Sequence, residues 1–294
     1  MGALDGRVAI ITGAGRGLGR EHALLFASEG AKVVVNDLGG DLDGTGDDRA
    51  PAQVVVDEIV AAGGEAVANI DNIADWEGAQ RLINQAVETY GDLNVLVNNA
   101  GILRDRVLVN MTEEEWDAVI HVHLKGHFCP SRFAAAYWRE QSKAGKEVNA
   151  AIVNTSSTSG LLGNAGQSNY GAAKAGIAAF SNIMGMELTR YGVRSNAIAP
   201  AARTRMTLAT PGLDAIIGEP EDPDAFDAWA PGNVSPLVAY LATADCPFNQ
   251  TTFFVQGGTV QYFQPWTLTT KIEQDRRWTV AELQAEMPKL LPPG

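Results

Sequence analysis

Val8-Ala9-Ile10-Ile11-Thr12-Gly13-Ala14-Gly15-Arg16-Gly17-Leu18-Gly19 decides the fold. Four apolar residues in a row, without alternation, are what a strand buried on both faces requires. Glycines at G-x-x-x-G-x-G spacing then allow a tight turn. The helical pattern that follows runs to Glu29 and closes at Gly30, a helix C-cap residue. A helix starting on such a turn offers unpaired N–H groups to an anion such as a pyrophosphate.

Outward from this unit the pattern repeats. Strand-like runs at 32–35, 66–70, 94–97, 150–155, 194–198 and 252–255 alternate with helical stretches at 51–62, 75–90 and 236–243. The Thr112/Glu115 capping box predicts a further helix that continues past Cys129, and another carries Tyr170 and runs to about Tyr191. This alternation predicts a single-domain α/β, doubly wound, Rossmann-like fold with a mainly parallel, seven-stranded sheet. The domain is expected over 1–258, with a Pro-rich acidic substrate loop at 199–233. Residues 259–294, with Trp266 and Trp278, are expected to be a C-terminal extension packing on the domain or a neighbouring subunit.

At 294 residues the chain can bury one large core, and its 46% hydrophobic and 19% charged content is that of a globular protein. A formal net charge of -13 argues against a general nucleic-acid or anionic-membrane surface. No apolar run approaches the roughly 20 residues of a membrane span. Cys129 and Cys246 are far apart in sequence, which argues against a disulfide framework or a cysteine zinc site. Reduced thiols and the lack of a signal-type N-terminus lead to the expectation of a cytoplasmic protein.

Ligands of doubly wound sheets bind beyond the carboxyl ends of the strands. The Gly13–Gly19 turn, Asp37, Asp71, Asn98–Gly101, Ser157 and Pro200 each follow a strand-like run, so they are expected to meet on one rim. Asp37 is placed to accept from both hydroxyls of an adenosine ribose and to repel a 2′-phosphate, which favours NAD over NADP. Arg16 pulls the other way. Asp71 is either an acceptor for the adenine amino group or a solvated acid. Asn98-Asn99-Ala100-Gly101 either braces the sheet or walls the adenosine. Tyr170 and Lys174 share a helix face at i, i+4, where an ammonium would draw down a phenol pKa of roughly 10. With Ser157 nearby, this is equipment for exchanging a proton with oxygen while hydride moves at carbon. His123 and His127 also have i, i+4 spacing, but no third metal ligand is evident, and no metal is expected. Arg104 and Arg106 either meet phosphates or are solvated.

Thr12–Gly19, Asn98–Gly101, Ser157 and Tyr170-Gly171-Ala172-Ala173-Lys174 together resemble the short-chain dehydrogenase/reductase superfamily over residues 5–258. Val35–Asp41, Gly101–Arg106, Val122–Gly126 and Arg205–Thr207 are similar to its (3R)-hydroxyacyl-CoA dehydrogenase branch, found in peroxisomal multifunctional enzyme type 2 and actinobacterial relatives. The resemblance implies catalytic roles for Ser157, Tyr170 and Lys174, with His123 where the superfamily commonly has an Asn that holds a relay water. His123 is then either a relay in its own right or a packed helix residue. It further implies that NAD is held by Gly13, Arg16, Gly17, Leu18, Gly19 and Asp37. Asp71, Asn72, Asn99, Ala100 and Gly101 would continue this surface, and Tyr170, Lys174, Pro200 and Thr204 would flank the nicotinamide. The implied substrate is a small-molecule alcohol or ketone, an acyl thioester or a steroid, with 3-oxoacyl-ACP as a third candidate. The implied assembly is a homodimer or homotetramer. Pro200-Ala201 departs from the usual Pro-Gly, and the loop at 211–231 is longer than in that branch. The rival from another class is a non-catalytic NAD sensor.

Overall fold

The unalternating apolar runs are explained by strand β1 (Val8–Thr12), which is buried along its whole length. Val8 and Ile10 point to one face of the sheet and Ala9 and Ile11 to the other, and each face is covered by helices. Full burial of an isoleucine contributes about 1.5–3 kcal/mol, and Ile10 and Ile11 are both wholly inaccessible. Such a strand has no solvent side on which polar residues are needed.

The protein is described by a computed structural model covering residues 2–40, 50–208, 217–220, 222 and 225–291. Much of the Gly- and Asp-rich loop after Leu38 lies outside these residues, as do Pro211, Glu221, Pro223 and Asp224 of the acidic loop. Strands β2 (Lys32–Asn36), β3 (Glu65–Asn69), β4 (Val95–Asn98), β5 (Ala150–Thr155), β6 (Val193–Pro200), β7 (Thr252–Gln256) and β8 (Thr259–Tyr262) join β1 in the order β3-β2-β1-β4-β5-β6-β7-β8. All neighbours are parallel except β7 and β8. The described sheet therefore has eight strands where seven were expected. Gly257-Gly258 makes a tight hairpin, with Gln256 opposite Thr259, so the chain turns back on β7 as an antiparallel edge.

Helices α1 (Gly17–Ser28), α2 (Ala50–Ala61) and α9 (Ser235–Ala242) cover one face, where Phe26, Val55, Ile59, Val238 and Leu241 pack on Ile11, Val33 and Val97. Helices α3 (Trp76–Tyr90), α5 (Gly126–Lys143) and α7 (Ser168–Leu188) cover the other, through Leu82, Trp138 and Met184 on Ile10, Val34 and Ile152. Short helices α6 (Thr158–Leu161) and α8 (Arg205–Leu208) sit beyond the ends of β5 and β6. The chain divides into the compact units Met1–Phe263 and Gln264–Gly294. The second carries helix α10 (Val280–Glu286), started by a capping box between Thr279 and Glu282 and an Arg276–Glu282 ion pair.

The long helix expected from Thr112 is not one helix. Helix α4 (Glu113–Ile120) begins on the Thr112/Glu115 capping box and passes into a π-helical turn, His121–Lys125, before α5. The Gly126 N–H bonds the carbonyl of His121, five residues back.

The carboxyl edge of the sheet is finished by polar side chains. Asn69, Asn36, Thr12, Asn98 and Asn154 stand in register across β3, β2, β1, β4 and β5, and all are buried. The Asn36 amide donates to Asn69 Oδ1 at 2.7 Å and to the Asp71 carbonyl at 2.9 Å. The Asn98 amide donates to Asn154 Oδ1 at 3.0 Å and to Ser131 at 2.9 Å, while Asn154 donates to Ser181 at 3.1 Å. Replacing Asn154 by Ala strands several of these buried partners. We expect Asn154→Ala to lower the unfolding free energy by about 1–3 kcal/mol in a denaturant titration. An unchanged midpoint would show that the row carries no stability.

Candidate active site

A cleft of about 450 Å³ opens over the carboxyl edge of the sheet. Gly13, Arg16, Gly17, Leu18, Asp37, Asp71 and Asn72 line one end of it; Asn99, Ala100, Gly101 and His123 line its floor, and Tyr170, Lys174, Pro200 and Thr204 the other end. Of the residues that the resemblance assigns to catalysis or to NAD, Gly19 and Ser157 are the two that do not line the cleft.

Gly19 is required by packing. A Cβ there would fall 2.1 Å from the Gly13 carbonyl and 2.6 Å from Asn99 Nδ2. Asn99 ties the turn down, with its amide donating to the carbonyls of Thr12 at 3.0 Å and Gly13 at 3.1 Å. Asn99 thus braces the turn and also lines the cleft. Helix α1 has no side-chain cap and no acid in its first turn, which leaves its first N–H groups without a capping side chain. Asp37 lies against the turn, accepting from the N–H groups of Gly15 at 2.8 Å and Gly39 at 2.7 Å. The cradle fits a dinucleotide pyrophosphate.

Asp71 is less free than its place suggests. One carboxylate oxygen pairs with Arg81 at 2.6 Å and the other accepts from Asn69 at 2.9 Å. Asn72 makes a local turn, accepting from the Ala74 N–H at 3.0 Å. The two arginines also separate: Arg104 lines the cleft, whereas Arg106 pairs with Glu115 at 3.0 Å on the surface.

At the other end, Thr155, Ser156 and Ser157 each engage a helix that starts close by. Lys174 Nζ donates to the Thr155 carbonyl at 2.6 Å. Ser156 Oγ donates to the Lys174 carbonyl at 2.8 Å. Ser157 Oγ accepts from the Ser159 N–H at 3.1 Å, capping α6. Its own proton remains available to Tyr170 or to a bound oxygen. Sequence reasoning missed Thr155 and Ser156, and also Asn169, a fully buried residue that locks the start of α7 to the loop after β4. The Asn169 amide donates to the carbonyls of Arg104 at 2.9 Å and Glu115 at 3.1 Å. An amide directly before the Tyr was the available signal.

His123, on the π turn, has no exposed surface. Its Nε2 lies 2.8 Å from the Ile102 carbonyl and 3.1 Å from the Ile102 N–H, and its ring meets that of Tyr170 edge-on at 5.2 Å. The ring fills space that only glycine leaves: a Cβ on Gly101 would fall 2.3 Å from His123 Cε1. Burial, then the nearby Lys174 charge, push its pKa well below that of a free imidazole, so the ring is neutral. Its Nδ1 and Asn98 Oδ1 have no hydrogen-bond partner, and the His127 ring lies by the His123 and Asn98 carbonyls without a well-formed hydrogen bond. Each such buried atom, left dry, costs about 1–3 kcal/mol.

The electrostatics differ from the expectation at Tyr170. Burial pushes its pKa up to about 12, hydrogen bonding to Ser157 opposes the rise, and the Asp105 carboxylate adds to it. The expected lowering by Lys174 does not appear, for a physical reason. Lys174 Nζ is 5.5 Å from the Tyr170 ring centroid and turned to the Thr155 carbonyl. Burial also brings its own pKa down to about 7, leaving it only partly charged at neutral pH. A bound dinucleotide adds phosphate charge and ribose oxygens, which favour the ammonium and raise this pKa. Binding therefore takes up a proton above pH 7, and affinity declines as pH rises from there. We expect calorimetry of NAD binding at pH 8, in two buffers of different ionisation enthalpy, to show proton uptake that is lost in Lys174→Met.

Comparison with known proteins accords with this cleft. The sequence profile described as short chain dehydrogenase matches residues 7–210. A crystal structure of a short chain dehydrogenase from Mycobacterium avium superposes with a TM-score of 0.87 at 54% identity, covering 98% of this chain and 96% of that one. The hydroxyacyl-CoA dehydrogenase ChsB1 of Mycobacterium tuberculosis is 45% identical, with 97% of this chain and 88% of that protein aligned. Peroxisomal multifunctional enzyme type 2 of Drosophila melanogaster is 47% identical over 83% of this chain, which spans 38% of that longer protein. The cleft is that of a nicotinamide-dependent oxidoreductase, and the chain belongs to the short chain dehydrogenase family.

Proposed function

We propose that the protein interconverts a secondary alcohol and a ketone with NAD, most favourably on a 3-hydroxyacyl-CoA-type substrate. The observation that carries the reading is Tyr170 and Lys174 lining one end of a cleft, with Ser157 hydrogen-bonded to Tyr170 just behind them, while a pyrophosphate cradle forms the other end. The nicotinamide, when bound, accepts hydride from carbon or supplies it. Ser157 donates to the substrate oxygen and orients it. Tyr170 Oη exchanges the proton with that oxygen, and Lys174, charged in the complex, eases the phenol toward phenolate. His123 keeps the wall at Ile102 in place. Pro200 and Thr204, on the cleft wall, would flank a bound nicotinamide. Asp37 supports NAD over NADP, because a unit charge about 4 Å from another is repelled by about 1–4 kcal/mol between bulk water and a protein surface.

The thioester substrate is supported by the name of the Mycobacterium tuberculosis relative and by Arg104 on the cleft wall. A homo-oligomer working in the cytoplasm completes the reading. No helix among the described residues is long and apolar enough to cross a membrane.

Tyr170→Phe is expected to lower turnover by about 100-fold to 10,000-fold while a fluorescence titration shows unchanged NAD binding. Near-normal turnover in that variant would sink the mechanism, and binding without turnover in the wild type would favour a sensor. Kinetics with both cofactors should show at least about a tenfold preference for NAD; a preference for NADP would mean that Asp37 is misread. A coupled screen of 3-hydroxyacyl-CoAs against hydroxysteroids and 3-oxoacyl-ACP decides the substrate class.

A further inference from the structure

Asp105 is a half-buried acid that the proposed reaction does not use. It lies in the loop after β4, beside the start of α7, the helix that carries Tyr170. The two segments are stitched together on both sides of it. The Arg106 N–H donates to the Gly166 carbonyl at 2.8 Å, and Arg106 pairs with Gln167 in a parallel bridge. On the other side the Asn169 amide donates to the Arg104 carbonyl at 2.9 Å. Between these ties the Gln167 amide donates to Asp105 Oδ2 at 2.7 Å, while Gln167 Oε1 accepts from Asn164 at 2.9 Å. Gln167 occupies the N-cap position of α7, yet its side chain serves this link and not the helix end. Asp105 Oδ1 is closed to solvent and accepts from no group among the described residues. A carboxylate so poorly supplied with donors is costly to bury, so packing alone does not account for it.

The other groups around Tyr170 are already engaged. Lys174 Nζ, on the same helix, is turned to the Thr155 carbonyl. His123, on the π turn, is neutral, and Ser157, beyond β5, offers the phenol a hydrogen bond. The Glu115 carboxylate is taken by Arg106 and by the Thr112 N–H, and Arg104 lies on the cleft wall. Helix α7 has no acid in its own first turn, so Asp105 brings negative charge to this end from across the loop. We propose that Asp105 is a positioning residue: anchored on Gln167, its carboxylate braces the first turn of α7 and holds back the ionisation of Tyr170, biasing the phenol toward the form that gives a proton to a ketone. A negative charge beside a phenol disfavours phenolate, and the Asp105 charge is felt at Tyr170. The positive end of α7 pulls the other way, since it favours both anions. Burial shifts the Asp105 carboxyl upward, and the hydrogen bond from Gln167 opposes that shift and favours the charged form. The inference rests on the dehydrogenase reading and deepens it, by naming the group that sets the pH range of each direction.

The test is the pH profile of kcat/KM in both directions. Asp105→Asn keeps an acceptor for Gln167 and removes the charge. In alcohol oxidation with NAD, the rate rises with pH as Tyr170 becomes a base. This ascending limb is not that of Lys174, whose deprotonation would lower the rate. Removing the carboxylate lowers the Tyr170 pKa, so the limb is expected to move to lower pH by about half a unit or more, making oxidation on the limb about threefold faster. Ketone reduction with NADH, which needs the proton on Tyr170, should decline from a correspondingly lower pH. A variant that is merely loosened would lose rate in both directions without a shift, and that result overturns the proposal, as does a wild-type limb. Gln167→Leu keeps the carboxylate without its anchor, and its limb should move the same way by less. It carries the test if Asp105→Asn does not fold, and an unmoved limb there overturns the anchoring. A wild type that turns over no alcohol or ketone would sink the dehydrogenase reading and this inference with it. An active wild type whose limb Asp105→Asn leaves in place sinks the inference alone.

Discussion

A parallel sheet stops pairing with itself where its strands end, and the backbone groups just beyond that edge still need partners. Here the partners are side chains on the last turns of the strands themselves. Thr12 Oγ1 accepts from the N–H groups of Asn99 at 3.0 Å and Ala100 at 3.2 Å, and Asn36 bonds the Asp71 carbonyl at 2.9 Å. The edge is thereby fixed without being capped by another layer of structure. It can stay open as a cleft while the atoms lining it hold their positions.

The catalytic end uses the same edge under greater tension. Lys174 is 2% exposed and Tyr170 sits beside it, each shifted away from its charged form by burial. Taken alone, the pair is poorly set for proton exchange. What is missing is a set of oxygens near Nζ, which the nicotinamide-side ribose of a dinucleotide lying along the cleft would supply. The cleft thus separates the cost of burying a lysine, met by the fold, from its activation, which depends on the ligand. The half-buried Arg203–Asp227 ion pair shows another use of charge. Arg203 also donates to the carbonyls of Ile217 at 3.2 Å and Gly218 at 3.1 Å, joining the start of the substrate loop to its later part.

Much of this was legible in the sequence, because both layers of helices force the strands to be apolar on both faces and force the ligand groups to the strand ends. Runs such as Val33-Val34-Val35 and Leu96-Val97, each ending in Asn, carry that message directly. The eighth strand was less legible. Its four residues are all exposed and of mixed polarity, and Gly257-Gly258 reads equally well as a strand end or a hairpin. Asp71 illustrates a different limit: its place after β3 is visible, but its pairing with Arg81 depends on how α3 lies over the sheet. Tyr170 shows a third. Spacing puts the ammonium on the right helix face, yet whether it is charged and where it points depend on burial and on the Thr155 carbonyl.

The π turn at His121–Lys125 has a consequence for how this helix is to be read along its length. One extra residue in a helix of 3.6 residues per turn advances everything after it by about 100°. Helices α4 and α5 are therefore a single rod in two phases. In the first phase Val119 points inward toward Ile102 and Ala173. In the second, Cys129, Phe133 and Trp138 point inward toward the sheet. No one periodicity describes both stripes, and the change of phase falls on the residue whose ring closes the floor of the cleft.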